Sequence, residues 1–288
     1  MRRIACELAR HLQVVGPLNI QFAVHGSRVY VIEANPRASR TVPFVSKATG
    51  VALAKAAARL MCGAKLADLG LPPDDAPHTR YCVKEAVMPF GRFPGSDVVL
   101  GPEMKSTGEV MGIGRTFPEA YLKTQVAVGY ELPQPGEHPL AFISVNDNDK
   151  RAIGSVAFAL HGLGFRLAAT AGTARVLRAL GLACAVVRPA SDAGLAKWGA
   201  EAADAPRITD LIAAGDVKLI INTPSGEGPH SDGFVLRTAA VAHGLTYVTT
   251  LQAAQAFAIG LEALAEGRGP EIVALQDLDK DRNEGETR

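Results

Sequence analysis

The stretch Val29-Tyr-Val-Ile-Glu-Ala-Asn-Pro-Arg-Ala-Ser-Arg40 begins as an apolar strand and ends in a series of polar side chains. Glu33 and Asn35 are two residues apart, so both project from the same face of an extended strand. The proline after Asn35 ends regular strand pairing, and Arg37 and Arg40 follow it. Oxygen ligands beside two guanidinium groups suit a magnesium–triphosphate site, because oxygens bind the hard cation and guanidinium groups bind phosphate. The alternative is a strand end followed by a solvated turn.

A second strand precedes this stretch and is predicted to form a β-hairpin with it. The two strands, 19–24 and 29–34, flank a short Gly-Ser turn. Gln21 lies on the polar face of the first strand, and its partner depends on the turn. A two-residue turn would pair Gln21 with Ile32, whereas a three-residue loop with a bulge would pair it with Glu33. Only the second arrangement brings Gln21 to the candidate oxygen ligands.

Length and composition indicate a globular protein of two domains, because the chain has 288 residues, 48% of them hydrophobic and 20% charged. A formal net charge of +1, without a basic tract that includes aromatic residues, gives no reason to expect nucleic acid. No apolar run approaches the roughly 18 residues of a membrane span, and no signal-peptide pattern is present. The four scattered cysteines contain no C-x-x-C pair, which indicates reduced thiols in a cytoplasmic protein.

A proline- and glycine-rich linker at 134–139 is predicted to divide the chain into domains at 1–133 and 140–277, followed by a charged tail at 278–288. In the first domain, residues 91–114 are rich in glycine, proline and short polar residues, and within them we predict long ordered loops at 93–97 and 100–109. Periodicity and composition predict three helices and one further strand there, at 2–15, 51–60, 117–128 and 81–88. The Lys84-Glu85 pair within that strand either faces solvent or lines a cleft.

The second domain alternates short apolar strands with helices. Its strands are predicted at 140–145, 166–169, 183–187, 218–222 and 245–248. Its helices are predicted at 150–161, 173–180, 206–214, 232–243 and 251–266. This alternation predicts an α/β fold with a parallel sheet covered by helices on both faces. In such sheets, ligands bind outside the carboxyl ends of the strands.

Small polar side chains follow three of these strands. Thr170 and Thr173 flank Gly172 at a predicted helix N-terminus, where free amide groups and the helix dipole attract an anion. Lys150 follows the first strand and would add a positive charge. A third loop contributes Asn222, Thr223 and Ser225.

These loops predict a phosphate-bearing ligand. The sequence contains neither G-x-G-x-x-G nor a Walker motif, which argues against a dinucleotide or a classical nucleoside triphosphate in this domain. The alternative is structural: Thr173 would be a helix N-cap, Gly172 a turn glycine and Lys150 a solvated helix residue.

Longer segments around these residues carry a family resemblance. They are NIQFAV at 19–24, VIEANPRASRTVPFVSKATG at 31–50, VKEAVMPF at 83–90 and LGPEMKSTGEVMG at 100–112. Together they resemble the carboxyl-terminal part of the large subunit of carbamoyl-phosphate synthetase. The resemblance continues into the second domain, which looks like the methylglyoxal-synthase-like allosteric domain of that subunit, and it covers nearly all of residues 1–277.

The resemblance implies a partial ATP-grasp domain, an antiparallel sheet with helices, followed by a Rossmann-like methylglyoxal-synthase-like domain. It implies that Gln21, Glu33 and Asn35 bind magnesium or manganese, and that Arg37 and Arg40 hold the phosphates of ATP and the transferred group. The implied enzyme is the glutamine-hydrolysing synthase, a ligase that phosphorylates carbamate with ATP for arginine and pyrimidine biosynthesis. The implied partners are the remainder of the large subunit and the glutaminase small subunit.

The second domain of that family binds nucleotide effectors, for example UMP or IMP. The positions that match the phosphate- and nucleotide-binding pattern are Lys150, Thr170, Gly172, Thr173, Asn222, Thr223 and Ser225. Ornithine is a further effector in some members, and Glu85 and Thr249 match two of its contacts. Val248 stands where those members have an aspartate, and a valine cannot pair with an ammonium group.

A complete ATP-grasp unit also needs a nucleotide lid and an upstream lysine and arginine that hold ATP. This sequence does not contain them, so we expect that the chain alone does not form carbamoyl phosphate. One alternative is a regulatory nucleotide-binding module with a vestigial catalytic fragment. Another is a methylglyoxal-synthase-like lyase, which needs a catalytic aspartate in a Gly-Asp context that does not occur after Asn222.

Overall fold

The computed structural model describes residues 1–72, 80–88, 104–133, 138–190, 204–223 and 232–278. The chain divides into two compact units, Met1–Arg80 with Ile272–Arg288, and Tyr81–Glu271. The predicted linker at 134–139 lies largely outside the described residues, and the predicted domain limits stay a prediction. Within the described residues, no helix combines the length and the apolar character that crossing a membrane requires.

The first unit consists of a β-hairpin and short helices. In chain order these are α1 (Arg2–His11), β1 (Asn19–His25), β2 (Arg28–Asn35), α2 (Thr41–Thr49), α3 (Leu53–Met61) and a 3₁₀ turn (Leu66–Leu69). Helix α1 ends earlier than the predicted limit at residue 15, because Gln13 has a φ of 49° and leaves the helical conformation. Gly50 ends α2 with a φ of 73°, a left-handed conformation that glycine adopts without steric cost.

Little of the first unit is buried. Among residues 1–72, Ala57 is the one side chain that is shielded from solvent. The apolar side chains of the hairpin are largely exposed, by 57% for Val24, 46% for Tyr30 and 65% for Ile32. A two-stranded sheet is at best marginally stable by itself in water. The first unit therefore has little core of its own.

The second unit begins with a strand pair and a helix, β3 (Tyr81–Val87), β4 (Gly108–Gly114) and α4 (Phe117–Ala127). Strands β3 and β4 pair antiparallel over their full length, from Tyr81 opposite Gly114 to Val87 opposite Gly108. The loop predicted at 100–109 was therefore wrong for its last two residues, and strand β4 was not predicted. Residues 91–103 lie outside the described residues. The glycines that suggested a loop serve close packing: a Cβ on Gly112 would lie 1.9 Å from the carbonyl oxygen of Ala120 in α4.

A five-stranded parallel sheet forms the rest of the second unit, with the strand order β7-β6-β5-β8-β9. Its strands are β5 (Leu140–Ser144), β6 (Arg166–Ala169), β7 (Cys184–Val186), β8 (Val217–Asn222) and β9 (Thr246–Val248). Its helices are α5 (Ile153–Gly162), α6 (Ala171–Ala179), α7 (Ile208–Ala213), α8 (Asp232–Ala242) and α9 (Leu251–Ala265). This arrangement confirms the predicted α/β fold, and the element limits differ by a few residues.

Apolar side chains cover both faces of this sheet. On one face, Ile143 and Ile221 pack in one core with Leu160 of α5 and Phe257 of α9. On the other face, Phe142 and Ile220 pack in a second core with residues of α7 and α8. The strand order reverses between β5 and β8, because β6 and β7 extend the sheet one way and β9 the other. The carboxyl ends of β5 and β8 thus form the topological switch point, where ligands bind in open parallel sheets.

The close approach of β4 to α4 yields a prediction about stability. Gly112→Ala should lower the free energy of unfolding by about 2 kcal/mol or more, because the added methyl group collides with a backbone carbonyl that cannot rotate away. Gly108→Ala is the matched control in the same strand, since a Cβ there would meet nothing within 4 Å. Urea unfolding of both variants measures the difference, and equal stabilities would contradict the packing described here.

Candidate functional site

The hairpin has a two-residue turn and, separately, a bulge. His25 pairs with Arg28 across the turn, and the register holds as far as Phe22 opposite Val31. It then shifts by one residue, so Gln21 pairs with Glu33, and Ile32 is the extra residue. The expectation that only a longer loop would bring Gln21 to Glu33 was wrong, because a bulge inside the strand produces the same shift. Gly26 has a φ of 59°, which suits the first central position of a tight hairpin turn.

The bulge brings the three predicted metal ligands together. Gln21 lies directly opposite Glu33, and the side-chain amide of Asn35 donates a hydrogen bond of 2.9 Å to Glu33 Oε1. This bond uses the Asn35 nitrogen and turns the carbonyl oxygen of the same amide away from Glu33. One carboxylate and two amide oxygens form a donor set that fits magnesium or manganese. Within the described residues, no cluster of three or more His, Cys, Asp or Glu side chains offers an alternative metal site.

The two predicted phosphate-binding arginines lie in the turn that follows β2. The backbone amide of Arg37 donates to the Asn35 carbonyl over 2.8 Å, which folds the turn back towards the strand end. The Arg37 guanidinium donates to the Ala38 carbonyl over 3.1 Å, and its residue is exposed. Arg40 occupies the N-cap position of α2 and is also exposed. Both guanidinium groups thus belong to the loop directly after the proposed metal ligands.

A second set of polar residues lies at the switch point of the parallel sheet, where Asn146 organises the loop after β5. Its side-chain oxygen accepts hydrogen bonds from the backbone amides of Asn148 and Asp149, at 2.9 and 3.2 Å. Its side-chain nitrogen donates to Asp149 Oδ2 over 2.7 Å and to Thr223 Oγ1 over 3.0 Å. Asn146 was not among the predicted site residues, although an asparagine directly after a buried strand is a signal for such a turn.

Two threonine hydroxyl groups at this edge of the sheet accept hydrogen bonds from amide groups and keep their own protons for donation. Thr223 Oγ1 accepts two hydrogen bonds of 3.0 Å from Asn146, one from its backbone amide and one from its side chain. Thr173 Oγ1 accepts a weaker bond of 3.4 Å from the backbone amide of Val145. Because an amide can only donate, each hydroxyl keeps its own proton for another acceptor. Both hydroxyl groups can therefore donate to an anionic group.

The N-terminus of α6 and Lys150 lie together. A Cβ on Gly172 would stand 3.1 Å from Lys150 Nζ, so the ammonium group lies against the first turn of the helix. Lys150 also forms an ion pair with Asp147, which is 91% exposed. A cation at the positive end of a helix dipole is unfavourable unless an anion neutralises both. The arrangement therefore suits an anionic ligand.

The structure does not give Thr173, Gly172 and Lys150 the roles that the structural alternative assigned to them, because Gly172 lies inside a helix. Helix α6 begins at Ala171 with Thr170 at the N-cap position, so Thr173 is a buried residue of the first turn and not the cap. No side chain caps this helix; the Thr170 hydroxyl lies 3.3 Å from the Ser144 hydroxyl instead. Lys150 precedes α5 and is not part of that helix. Ser225 lies outside the described residues.

Asn222, at the end of β8, belongs to a buried polar cluster that the sequence did not predict. Its side-chain nitrogen donates a hydrogen bond of 2.7 Å to the hydroxyl of Tyr247 in β9. Arg237 of α8 also bonds the Tyr247 hydroxyl. Asn222 is 7% exposed and Arg237 is 5% exposed. The sequence pattern of the short strands did not indicate this cluster, because a tyrosine in an apolar strand is usually a core residue.

Glu85 in β3 does not face solvent, and it forms its hydrogen bonds with residues of α4. One of its carboxylate oxygens accepts hydrogen bonds from Thr124, over 3.0 Å, and from the Gln125 side chain. Burial raises the pKa of Glu85, and these hydrogen bonds oppose that shift. Thr249 is exposed after β9, and no hydrogen bond joins it to Glu85 within the described residues. The two predicted ornithine contacts therefore stay a prediction.

Two family models match the chain: "Carbamoyl-phosphate synthase L chain, ATP binding domain" at residues 1–69 and "MGS-like domain" at residues 152–249. The carbamoyl phosphate synthase large chain, C-terminal section, of Methanopyrus kandleri is 46% identical over 281 residues, covering 95% of this chain and 49% of that protein. The large chain of Methanothermobacter thermautotrophicus is 48% identical over 278 residues, covering 95% of this chain and 24% of that one. The chain belongs to the carbamoyl phosphate synthase large-chain family.

The match confirms the predicted family and the carboxyl-terminal position of this chain within its large chains. The chain spans about half the length of the M. kandleri section and about a quarter of the full large chain. Among solved structures, the crystal structure of methylglyoxal synthase from Elizabethkingia anophelis NUHP1 matches at 16% identity and a TM-score of 0.34, over 49% of this chain and 90% of that chain.

The surroundings of two glutamates predict opposite effects of pH on stability. Because burial raises the native pKa of Glu85 above its ordinary 4.5, its stabilising contribution is complete below that value. The contribution is lost as the pH rises through the native pKa. Glu85→Gln should therefore gain stability relative to wild type as the pH rises above about 4.5, as urea unfolding at several pH values measures.

Glu119 is the matched comparison. Burial pushes its pKa upward, but hydrogen bonds from Lys123 and from the Arg115 backbone outweigh burial and hold the pKa below 4.5. Its stabilising contribution is present above 4.5 and is lost at lower pH, so Glu119→Gln should cost stability at neutral pH and little in acid. The same pH trend in both variants would contradict this assignment.

Proposed function

We propose that this chain supplies one edge of the carbamate-phosphorylating ATP site, together with a regulatory nucleotide-binding domain, to a glutamine-hydrolysing carbamoyl-phosphate synthase. The observation that carries the first part is the bulge at Ile32, which puts Gln21 opposite Glu33, the carboxylate that Asn35 bonds. In this proposal these three side chains bind magnesium or manganese. The reaction would serve arginine and pyrimidine biosynthesis in the cytoplasm, where ATP and glutamine are available.

In this proposal, Glu33 supplies the one negative charge of the ligand set, and the amide oxygens of Gln21 and Asn35 complete it without adding charge. The bound metal would neutralise charge on the phosphate oxygens of ATP. Arg37 and Arg40 would orient those oxygens through charge-assisted hydrogen bonds. The nucleophile is the carbamate oxygen, so no side chain of this chain needs to form a covalent bond. Its residues would act by positioning and electrostatics.

The proposed partners are the remainder of the large chain and the glutaminase subunit. Support for the first comes from the hairpin, which exposes Val24, Tyr30 and Ile32 on a two-stranded sheet, while Ala57 alone is buried among residues 1–72. Exposed apolar strands of this kind need cover from further strands or helices. The upstream half of an ATP-grasp unit would provide that cover and would also bring the groups that hold ATP.

For the second unit we propose a nucleoside monophosphate as the regulatory ligand. Thr173 and Thr223 offer hydroxyl protons, Lys150 offers an ammonium group, and the first turn of α6 offers amide groups that no side chain caps. Together these groups favour a phosphate-bearing ligand, with Thr170, Gly172 and Asn222 at the same edge of the sheet. UMP and IMP are the first ligands to test.

A second candidate function is a regulatory module whose catalytic fragment is vestigial. One observation favours it: almost all buried side chains among the described residues lie in the second unit. The unit that carries the nucleotide site has a core of its own, whereas the hairpin unit has little. Reconstitution with the upstream half distinguishes this candidate from the leading one.

The catalytic proposal predicts that activity appears only on reconstitution. The 288-residue chain, combined with the upstream part of the large chain and the glutaminase subunit, should form carbamoyl phosphate from ATP, bicarbonate and glutamine. Glu33→Gln should lower kcat by about a hundredfold or more, because the metal loses its one anionic ligand. Glu7→Gln, an exposed change in α1, should leave the rate unaltered. A complex that assembles but stays inactive with the wild-type chain would favour the vestigial module.

The regulatory proposal predicts that ligand binding needs a glycine at position 172, because the Lys150 ammonium group lies where a side chain would begin. Gly172→Ala would put a methyl group 3.1 Å from Lys150 Nζ and push the ammonium group away from the helix. Binding of UMP and of inorganic phosphate should weaken about fivefold to tenfold, the effect of impairing one charge-assisted hydrogen bond. Gly162→Ala in α5 is the control, because a Cβ there would meet nothing within 4 Å. Calorimetry measures both, and equal affinities would refute the proposed role of Lys150.

A further inference from the structure

The Asn222 cluster contains a chain of hydrogen bonds that leads away from the proposed ligand site. Asn222 Nδ2 donates to Tyr247 Oη over 2.7 Å, and the Arg237 guanidinium bonds the same oxygen. Gly233 makes room for these groups, because a Cβ there would lie 2.9 Å from Arg237 Nη1 and 3.5 Å from Asn222 Nδ2. Arginine and tyrosine thus pack behind an asparagine that was predicted to contact the ligand directly.

This chain fixes which end of the amide faces away from the cluster. With its nitrogen bonded to Tyr247, Asn222 turns its carbonyl oxygen in the other direction. Within the described residues, that oxygen accepts no hydrogen bond. Burial raises the pKa of the Tyr247 hydroxyl, so the phenol stays neutral and its oxygen remains an acceptor. A buried amide with its carbonyl oxygen available recognises a hydrogen-bond donor.

The position of this oxygen relates it to the proposed phosphate site. Strand β5 lies between β6 and β8 in the sheet, so two strand spacings, about 10 Å, separate the end of β8 from the end of β6. Phosphate at the first turn of α6 would leave the rest of a nucleotide to extend along the strand ends towards Asn222. Donor groups of the nucleoside, such as ribose hydroxyls, would then meet an acceptor.

We propose that Tyr247, supported by Arg237, is a positioning residue that holds the Asn222 amide with its carbonyl oxygen towards the nucleoside part of the ligand. The proposal rests on the proposed nucleotide site and adds a determinant of its specificity. It assigns phosphate binding to the α6 end of the site and recognition of a hydrogen-bond donor to the β8 end. Tyr247 itself does not touch the ligand.

A thermodynamic cycle in the full chain tests this role, with UMP and inorganic phosphate as calorimetric probes. Asn222→Ala should weaken UMP binding about tenfold, and Tyr247→Phe about fivefold or more, because the amide loses its anchor. The double variant should bind UMP no worse than Asn222→Ala alone, since Tyr247 acts only through Asn222. Inorganic phosphate should bind all four proteins with affinities within about twofold of one another. Tyr130→Phe, which removes another half-buried phenol hydroxyl of the same unit, should leave UMP binding unchanged.

A second measurement needs no ligand. The side-chain amide resonances of Asn222 in NMR spectra should shift in Tyr247→Phe and stay in place in Tyr130→Phe, because only the first change removes their acceptor. Additive losses in the cycle, or unaltered UMP binding by Tyr247→Phe, would overturn the positioning role while leaving the nucleotide site intact. If the wild-type chain binds inorganic phosphate but neither UMP nor IMP, the nucleotide site itself is wrong and the positioning role falls with it.

Discussion

The bulge at Ile32 is the constraint on which the amino-terminal site depends, because side chains alternate along a strand with a period of two. One extra residue in β2 exchanges the faces of everything between Ile32 and the end of the strand. Without it, Ile32 would face Gln21, and Glu33 would project from the opposite side. With it, a carboxylate and two amides share one face of a hairpin whose turn remains tight. The bulge thus shifts the register inside the strand, so the turn can remain at two residues. A three-residue loop would have produced the same shift at the turn itself.

The two units differ in how much of their side-chain surface is buried. The second unit has a parallel sheet with a core on each face, so its strand ends are held by packing that does not involve the ligand. Polar groups at the switch point can therefore be positioned in advance, as the hydrogen bonds of Thr223 and Asn222 indicate. The first unit presents its ligand set on a two-stranded sheet that is exposed to solvent. Its metal ligands lie close together, but little in their own unit keeps them rigid.

Periodicity along the chain was sufficient to predict the parallel sheet, because short apolar strands alternate with helical segments. It failed where a residue's role depends on a distant partner. Strand β4 was taken for loop because Gly108, Gly112 and Gly114 lower strand propensity, and the helix that requires Gly112 comes later in the chain. The local amino-acid composition around Ile32 does not indicate a bulge. Tyr247 lies in a predicted apolar strand, and only the fold reveals that its hydroxyl bonds Asn222.

The proposed phosphate site is built mainly from neutral donors, and this has a consequence for how it binds. Lys150 is a cation near the first turn of α6, and it already pairs with Asp147. Asp147 is 91% exposed, and such an ion pair contributes little to stability, at most about 1 kcal/mol. A phosphate dianion at the helix terminus would interact with the ammonium group, the helix dipole and the Thr173 hydroxyl at once. It would therefore displace the aspartate at small cost, and the released carboxylate would return to solvent. The ammonium group and the helix dipole are screened by salt, whereas the hydroxyl contact is a short-range hydrogen bond. Phosphate binding should therefore weaken as the ionic strength rises, but less steeply than at a site built from several cations.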